Sequence, residues 1–308
     1  MLMNLVLLLV GFVLLTYGAN MFIDGSSAIA RRFHIHEIVI GLTIVAFGTS
    51  LSEASVSIAS VLHGANGVAV GNIIGSNIAN ILLVLGITAT ISALKIQKNT
   101  IRYEIPFVCF ITLLLLWIGA FYGMISRSAA GILLGLFGVF LAYLLTKGRA
   151  EITAETSDVQ QMSGLKILLY VVLGITGVIY GSNLIVDSSV NIARIMNVSE
   201  RIIGLTIIAF GTSLPELVTC IVAVLKKRSD LAVGNIIGSN IVNILFVLGV
   251  TGLIRPIPFE YAFIKDCAVA VIAAVMLWFF VVPQHKLSRT AGIMFLLSYF
   301  VYVGYLFM

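Results

Sequence analysis

Residues 40–53 read IGLTIVAFGTSLSE, and residues 203–216 read IGLTIIAFGTSLPE. A second pair follows at the same interval, VAVGNIIGSNIANILLVLGIT at 68–88 and LAVGNIIGSNIVNILFVLGVT at 231–251. One offset of 163 residues aligns both pairs without a gap, and it also matches Gly11 with Gly174, Gly18 with Gly181 and Asp24 with Asp187. Self-similarity at a fixed offset marks an internal duplication.

The surroundings of the repeat are those of a membrane. The chain of 308 residues is 60% hydrophobic and 10% charged, with a mean hydropathy of +1.13, too little polar surface to coat a water-soluble protein of this size. About ten apolar segments are long enough to cross ~30 Å of hydrocarbon as helices. They fall near 3–23, 37–62, 67–93, 104–123, 128–146, 164–187, 200–225, 231–254, 262–283 and 290–307. A lipid-facing barrel would need short alternating segments instead. The expected fold is an all-α membrane protein of about ten transmembrane helices.

Five spans per copy is an odd number, so the second copy enters the membrane from the opposite side. The expected organisation is a pair of inverted five-helix repeats, residues 1–146 and 164–308, joined by a polar cytoplasmic linker at 147–163 into one integrated transmembrane domain. Inverted repeats are a hallmark of secondary transporters, whose substrate site lies near the midplane between the copies on interrupted helices.

Charge sets the orientation. With the first helix starting on one side, Arg127, Arg194, Arg201, Arg255 and Lys265 fall on that side and the remaining thirteen of 18 Lys and Arg on the other. The positive-inside rule makes the richer side cytoplasmic and places both termini outside. The net charge of +5 therefore reports topology and gives no sign of a nucleic-acid partner. The first segment has no cleavable-signal pattern and is read as a retained helix. Cys109, Cys220 and Cys267 are scattered through apolar segments, which argues against a disulfide framework or a structural zinc site.

Glu53 stands in the middle of the second span and Glu216 at the equivalent place in the seventh. An acid at a helix centre costs about 2.5–3.5 kcal/mol and is functional by default. Thr49 and Ser50 lie four and three residues before Glu53, on one helical face, as Thr212 and Ser213 do before Glu216. In the third and eighth spans Ser76 pairs with Asn80, and Ser239 with Asn243, again four apart. Gly48, Gly211 and Pro215 loosen the helix nearby and can free the carbonyls of Ala46 and Ala209. This is a hard-oxygen set suited to Ca²⁺ or Na⁺ and unsuited to zinc or copper, since no His or Cys joins it. One Ca²⁺ or two Na⁺ would balance the two carboxylates, so the two ions would compete for one site. Competition within an alternating-access cavity is antiporter chemistry.

Other polar residues carry plainer readings. Single Ser and Thr side chains often bond the preceding turn or glue helices together. Asn77 and Asn240 sit about 100° around the helix from Ser76 and Ser239 and are read as interhelical hydrogen-bond partners. Asp24, Asp187, Glu37 and Glu200 lie near span ends and are read as solvated caps. His34, His36, His63 and His285 are read as loop residues. Gly11 with Gly18, and Gly174 with Gly181, mark one face each of the first and sixth helices, for close packing or as a smooth sliding surface.

The paired GTSLSE and GTSLPE, each followed by GNIIGSN, resemble the two α-repeats of the Ca²⁺/cation antiporter superfamily, in its prokaryotic sodium/calcium exchanger branch. The resemblance covers essentially the whole chain. It implies one Ca²⁺ site flanked by Na⁺ sites, with Glu53, Glu216, Thr49, Ser50, Thr212, Ser213, Ser76, Ser239, Asn80 and Asn243 as side-chain ligands beside nearby carbonyls. It also implies that the first and sixth helices slide across the rest, and it implies a multi-pass protein of a prokaryotic plasma membrane. Two departures stand out. Asn243 occupies a position where archaeal and potassium-dependent relatives carry Asp, which argues against K⁺ dependence. Ser52 replaces the motif proline, from which a weaker kink in the first repeat is expected.

The reading is a Ca²⁺/Na⁺ antiporter that expels cytoplasmic Ca²⁺, with the bilayer, Ca²⁺ and Na⁺ as its partners and neither a resident cofactor nor an obligate protein partner. Ca²⁺/H⁺ exchange is the alternative, either Glu serving as proton carrier. A cation channel is disfavoured by the inverted repeat, and an intramembrane enzyme by the absence of a His-Glu-x-x-His motif or a Ser with a His base. The linker holds no EF-hand pattern, so no calcium-sensing domain is expected.

Overall fold

A computed structural model describes residues 2–64, 66–147, 162–196 and 209–306. Most of the linker, the start of the seventh segment with Glu200 and Arg201, and the side chains of Arg194 and Ala209 lie outside the described residues.

The helices are α1 (Leu2–Phe33), α2a (Glu37–Thr49), α2b (Leu51–Leu62), α3 (Asn66–Ile91), α4 (Thr100–Tyr122), α5 (Arg127–Lys147), α6 (Gly164–Ile195), α7a (Ala209–Thr212), α7b (Leu214–Leu225), α8 (Ser229–Ile254), α9 (Tyr261–Val281) and α10 (Arg289–Leu306). Among the described residues eight unbroken helices are long and apolar enough to cross a bilayer, and α2a with α2b makes a ninth, broken span. The seventh expected segment is described only from residue 209, so nine of the ten expected spans are in view.

Two compact units take up the chain, residues 1–49 with 143–235 and residues 50–142 with 236–308. Each draws on both repeats, so compactness does not follow the line of duplication.

In the first unit α1 and α6, of 32 residues each, pack backbone against backbone. A Cβ added to Gly18 would lie 2.8 Å from Gly174 O, and one on Gly181 would lie 2.5 Å from Leu15 N and 2.8 Å from Gly11 O. Small residues permit this approach, and the dispersion gained there drives helix association in lipid, where apolar burial offers little. The two glycine faces thus meet each other, which is the close-packing role; they are not presented as a separate smooth surface. A second glycine crossing brings α2a onto α8, where a Cβ on Gly234 would lie 2.6 Å from Ile38 O and 2.9 Å from Gly41 Cα.

In the second unit the repeats interlock. Gly86 of α3 packs on Gly292 of α10, with 2.8 Å between a Cβ built at Gly292 and Gly86 O. At the equivalent place Gly249 of α8 packs on Leu134 of α5, where a Cβ built at Gly249 would lie 2.7 Å from Leu134 Cγ. Two antiparallel strand pairs repeat the exchange. Leu94 and Lys95 pair with Leu287 and Lys286, and Met124 and Ile125 pair with Pro258 and Ile257. The 163-residue offset relates one pair to the other. The chain after α3 therefore lies at the same end as the chain after α9, and the chain after α4 at the same end as the chain after α8, as inverted repeats require.

Burial follows from sequence. The apolar windows of α3 and α8 are 78% and 83% buried, against 22% for α1 and 17% for α10. α3 and α8 carry the duplicated GNIIGSN and are the most buried; α1 and α10 expose Leu9, Val13, Leu297 and Val301, as lipid-facing helices do.

Candidate cation site

Both halves break at the same point. Ser50 has φ −76° and ψ 4°, and Ser213 has φ −90° and ψ 2°, the bridge region between helix and strand. The preceding helices end at Thr49 and Thr212, and the next begin at Leu51 and Leu214. Glu53 and Glu216 consequently stand in the first turn of a new helix, where unsatisfied N–H groups and the positive helix end favour an anion. The first repeat breaks as the second does, although it carries Ser52 where the second carries Pro215. The dihedrals at the two breaks match, and N1 and N2 amides have no intrahelical acceptor, so a proline there changes little.

The third and eighth spans each widen by one turn. Ala79–Val84 and Val242–Val247 form π-helical segments in which Leu85 N–H reaches back to Asn80 O and Leu248 N–H to Asn243 O. Such bulges gather at functional sites. Here they fall on the two asparagines that spacing had selected.

The expected ligands are buried. Glu53, Glu216, Thr49, Asn80, Ser239 and Asn243 are 0% exposed, and Ser50, Ser76 and Ser213 at most 3%. Thr212 is half-buried. Ala46 is fully buried, its carbonyl 3.4 Å from Thr49 Oγ. Ala209 opens α7a.

Three local networks hold parts of this set. In the first unit Thr49 Oγ donates to Asn235 Oδ1 at 3.0 Å, and Asn235 Nδ2 donates to Cys220 Sγ at 3.4 Å. In the second unit Ser52 Oγ donates to Glu53 Oε2 at 2.9 Å, while Asn72 Nδ2 donates to Glu53 O at 3.3 Å and to Ser57 Oγ at 3.1 Å. Also in the second unit, Asn243 Nδ2 donates to Asn77 Oδ1 at 3.1 Å and Asn77 Nδ2 to Asn240 O at 3.3 Å. Asn77 is thus the helix-to-helix partner its position suggested.

Asn72 and Asn235 were not singled out from sequence. The G-N pair of each GNIIGSN carries their signal, which spacing within one helix does not reach. Asp24 and Glu37, expected as solvated caps, form ion pairs in the first unit with Lys226 at 2.7 Å and Arg228 at 2.8 Å.

The donor set fits a hard cation. Among the described residues Asn80 Oδ1 and Nδ2, Asn243 Oδ1 and Ser213 Oγ are buried without a hydrogen-bond partner. Buried polar atoms are otherwise nearly always paired, and amide and hydroxyl oxygens of this kind coordinate Ca²⁺ and Na⁺. Among the described residues no three or more His, Cys, Asp or Glu gather to hold a metal, which leaves oxygens supplemented by single carboxylates.

Comparison with known proteins identifies the family. The family model described as sodium/calcium exchanger protein matches residues 3–146 and 166–308. The chain is 38% identical to the putative antiporter CaxA of Alkalimonas amylolytica over 99% of its own length and 98% of the relative's. It is 28% identical to the sodium/calcium exchanger MaX1 of Methanosarcina acetivorans over 99% and 98%. Among solved structures, the sodium-calcium exchanger NCX_Mj soaked with 10 mM Na⁺ and 10 mM Sr²⁺ superposes with a TM-score of 0.88 at 35% identity, covering 98% of both chains. The protein is a multi-pass, all-helical membrane protein and a cation/Ca²⁺ antiporter, and it belongs to the sodium/calcium exchanger family.

Proposed function

We propose that this antiporter moves Ca²⁺ out of the cytoplasm against inward Na⁺, across a prokaryotic plasma membrane with both termini outside. The observation that carries the reading is the symmetric pair of buried acids, Glu53 and Glu216, each in the first turn after a break at Ser50 or Ser213. Their ligand partners are Thr49, Ser50, Thr212, Ser213, Ser76, Ser239, Asn80 and Asn243, with the carbonyls of Ala46 and Ala209. Two carboxylates balance one Ca²⁺ or two Na⁺, so loading one ion displaces the other. Asn243 adds an amide oxygen and no charge. The ions themselves are the substrates, and the chemistry needs no resident cofactor.

Alternating access requires a part that moves. The backbone contact between α1 and α6 supports movement of the two as a single body.

Proteoliposomes with controlled internal cations test the coupling ion. Radiolabelled Ca²⁺ uptake should follow an outward Na⁺ gradient and fail with K⁺ or choline inside at fixed pH. Uptake that ignores Na⁺ and follows an imposed pH gradient would replace Na⁺ by H⁺ in this account.

A further inference from the structure

The duplicated GNIIGSN contains one letter that the cation site leaves unexplained, the first asparagine, Asn72 in one half and Asn235 in the other. Both side chains make the same bond. Asn72 Nδ2 reaches Ser57 Oγ at 3.1 Å, and Asn235 Nδ2 reaches Cys220 Sγ at 3.4 Å. Ser57 and Cys220 are themselves repeat equivalents, both fully buried. The contact has been kept in both copies while its acceptor changed from hydroxyl to thiol.

The second repeat shows where the other end of the amide goes. Asn235 Oδ1 accepts from Thr49 Oγ at 3.0 Å, shorter than the 3.2 and 3.4 Å from that hydroxyl to Val45 O and Ala46 O. Cys220 Sγ in turn donates to Ala232 O at 3.5 Å. With its own proton committed to Ala232, the sulfur can only accept from Asn235. The amide is then fixed with its NH₂ end toward Cys220 and its oxygen toward Thr49. An oxygen facing Thr49 makes the hydroxyl the donor. A hydroxyl has a single proton and two lone pairs, so a Thr49 that donates to Asn235 turns its proton away from any cation its oxygen coordinates.

In the first repeat Asn72 acts on the other class of ligand. Its Nδ2 also lies 3.3 Å from Glu53 O, so it holds the helical turn that bears the acid against α3.

We infer that Asn235 and Asn72 are positioning residues of the cation site, Asn235 setting the proton direction of Thr49 through Cys220 and Asn72 anchoring the turn of Glu53. The inference rests on the proposed reading of Thr49 and Glu53 as ligands.

A double-mutant cycle on Ca²⁺ uptake by reconstituted protein tests it. Thr49→Val should raise the KM for Ca²⁺ with a smaller change in kcat. Asn235→Ala should raise KM by roughly 5- to 10-fold, the effect of losing one buried hydrogen bond of about 1 kcal/mol. The pair together should be no worse than Thr49→Val alone, because both act through one oxygen. Cys220→Ser, which copies Ser57, should keep KM within about twofold as a conservative hydrogen-bonding replacement. Cys220→Val should behave like Asn235→Ala, and it serves the test if Asn235→Ala does not fold.

A KM unchanged in Thr49→Val would overturn the ligand reading and this inference with it. A raised KM in Thr49→Val combined with additive effects in the pair, or with a normal KM in both Asn235→Ala and Cys220→Val, would overturn the inference and leave the ligand reading standing.

Discussion

Asn243 donates its side-chain N–H to the side-chain oxygen of Asn77 at 3.1 Å, and Asn77 passes its own N–H to the carbonyl of Asn240 at 3.3 Å. The chain of donors runs in one direction. An aspartate at 243 would have no N–H to give, and its oxygen would face the oxygen of Asn77. Asn243→Asp should therefore lower stability by about 1–3 kcal/mol, the cost of a buried polar group left without its partner. A carboxylate also binds cations better than an amide, so saturating Ca²⁺ should recover part of the loss. Thermal unfolding in detergent with and without Ca²⁺ measures both effects. Equal stability of variant and wild type in the absence of ions would show that the Asn77 bond carries no weight.

Gly18 and Gly181 lie where any side chain meets backbone. A Cβ at Gly18 falls 2.7 Å from Val178 N, and one at Gly181 falls 2.5 Å from Leu15 N. Gly181→Ala should cost about 1–3 kcal/mol, the range for overpacking, and Gly181→Leu should fail to give folded protein. Size-exclusion profiles and melting curves report this. Normal folding with slowed transport would instead return these glycines to a sliding role.

The matched dihedrals at Ser50 and Ser213 make Ser52→Pro a mild change. The amide at that position sits in the first turn, where a proline removes no helical hydrogen bond, and the loss is the Ser52 to Glu53 contact of 2.9 Å. The variant should fold normally, and its KM for Ca²⁺ should rise by no more than about fivefold, one hydrogen bond's worth. An unfolded variant would mean that the two breaks are held by different means.

Tyr302 of α10 donates its hydroxyl to Asp266 of α9 at 3.1 Å. Tyr302→Phe leaves the carboxylate without that donor and should lower stability by about 1–3 kcal/mol, with uptake kinetics otherwise kept. Circular-dichroism melts compared with uptake assays separate the two effects. A loss of transport without a loss of stability would draw Asp266 into the ion path.

Much of this architecture could be read in advance. The duplicated motifs located the acids, the odd span number required inversion, and the two strand pairs show that inversion directly. Residues 94–95 and 286–287 were not legible as strands, because two residues show no alternation. The wide turns at Asn80 and Asn243 escaped for a similar reason, since apolar periodicity does not distinguish i→i+5 from i→i+4 bonding. Asn235 was missed because its partners, Thr49 and Cys220, lie on other helices, and spacing within one helix cannot find them. Ser52 shows that a proline at this position is not necessary for a break. The glycines gave a face but not its partner, and only the packing of α1 on α6 shows what they meet.

On the proposed function, Glu53 and Glu216 both bind Ca²⁺, in competition with Na⁺. Calorimetric Ca²⁺ binding to purified protein over a Na⁺ series, for wild type, Glu53→Gln and Glu216→Gln, tests it most directly. Na⁺ should displace Ca²⁺ competitively in wild type, and either substitution should abolish measurable Ca²⁺ binding in protein that still folds. Ca²⁺ binding of wild-type strength in either folded variant, or Na⁺ that leaves wild-type Ca²⁺ affinity unchanged, would contradict it.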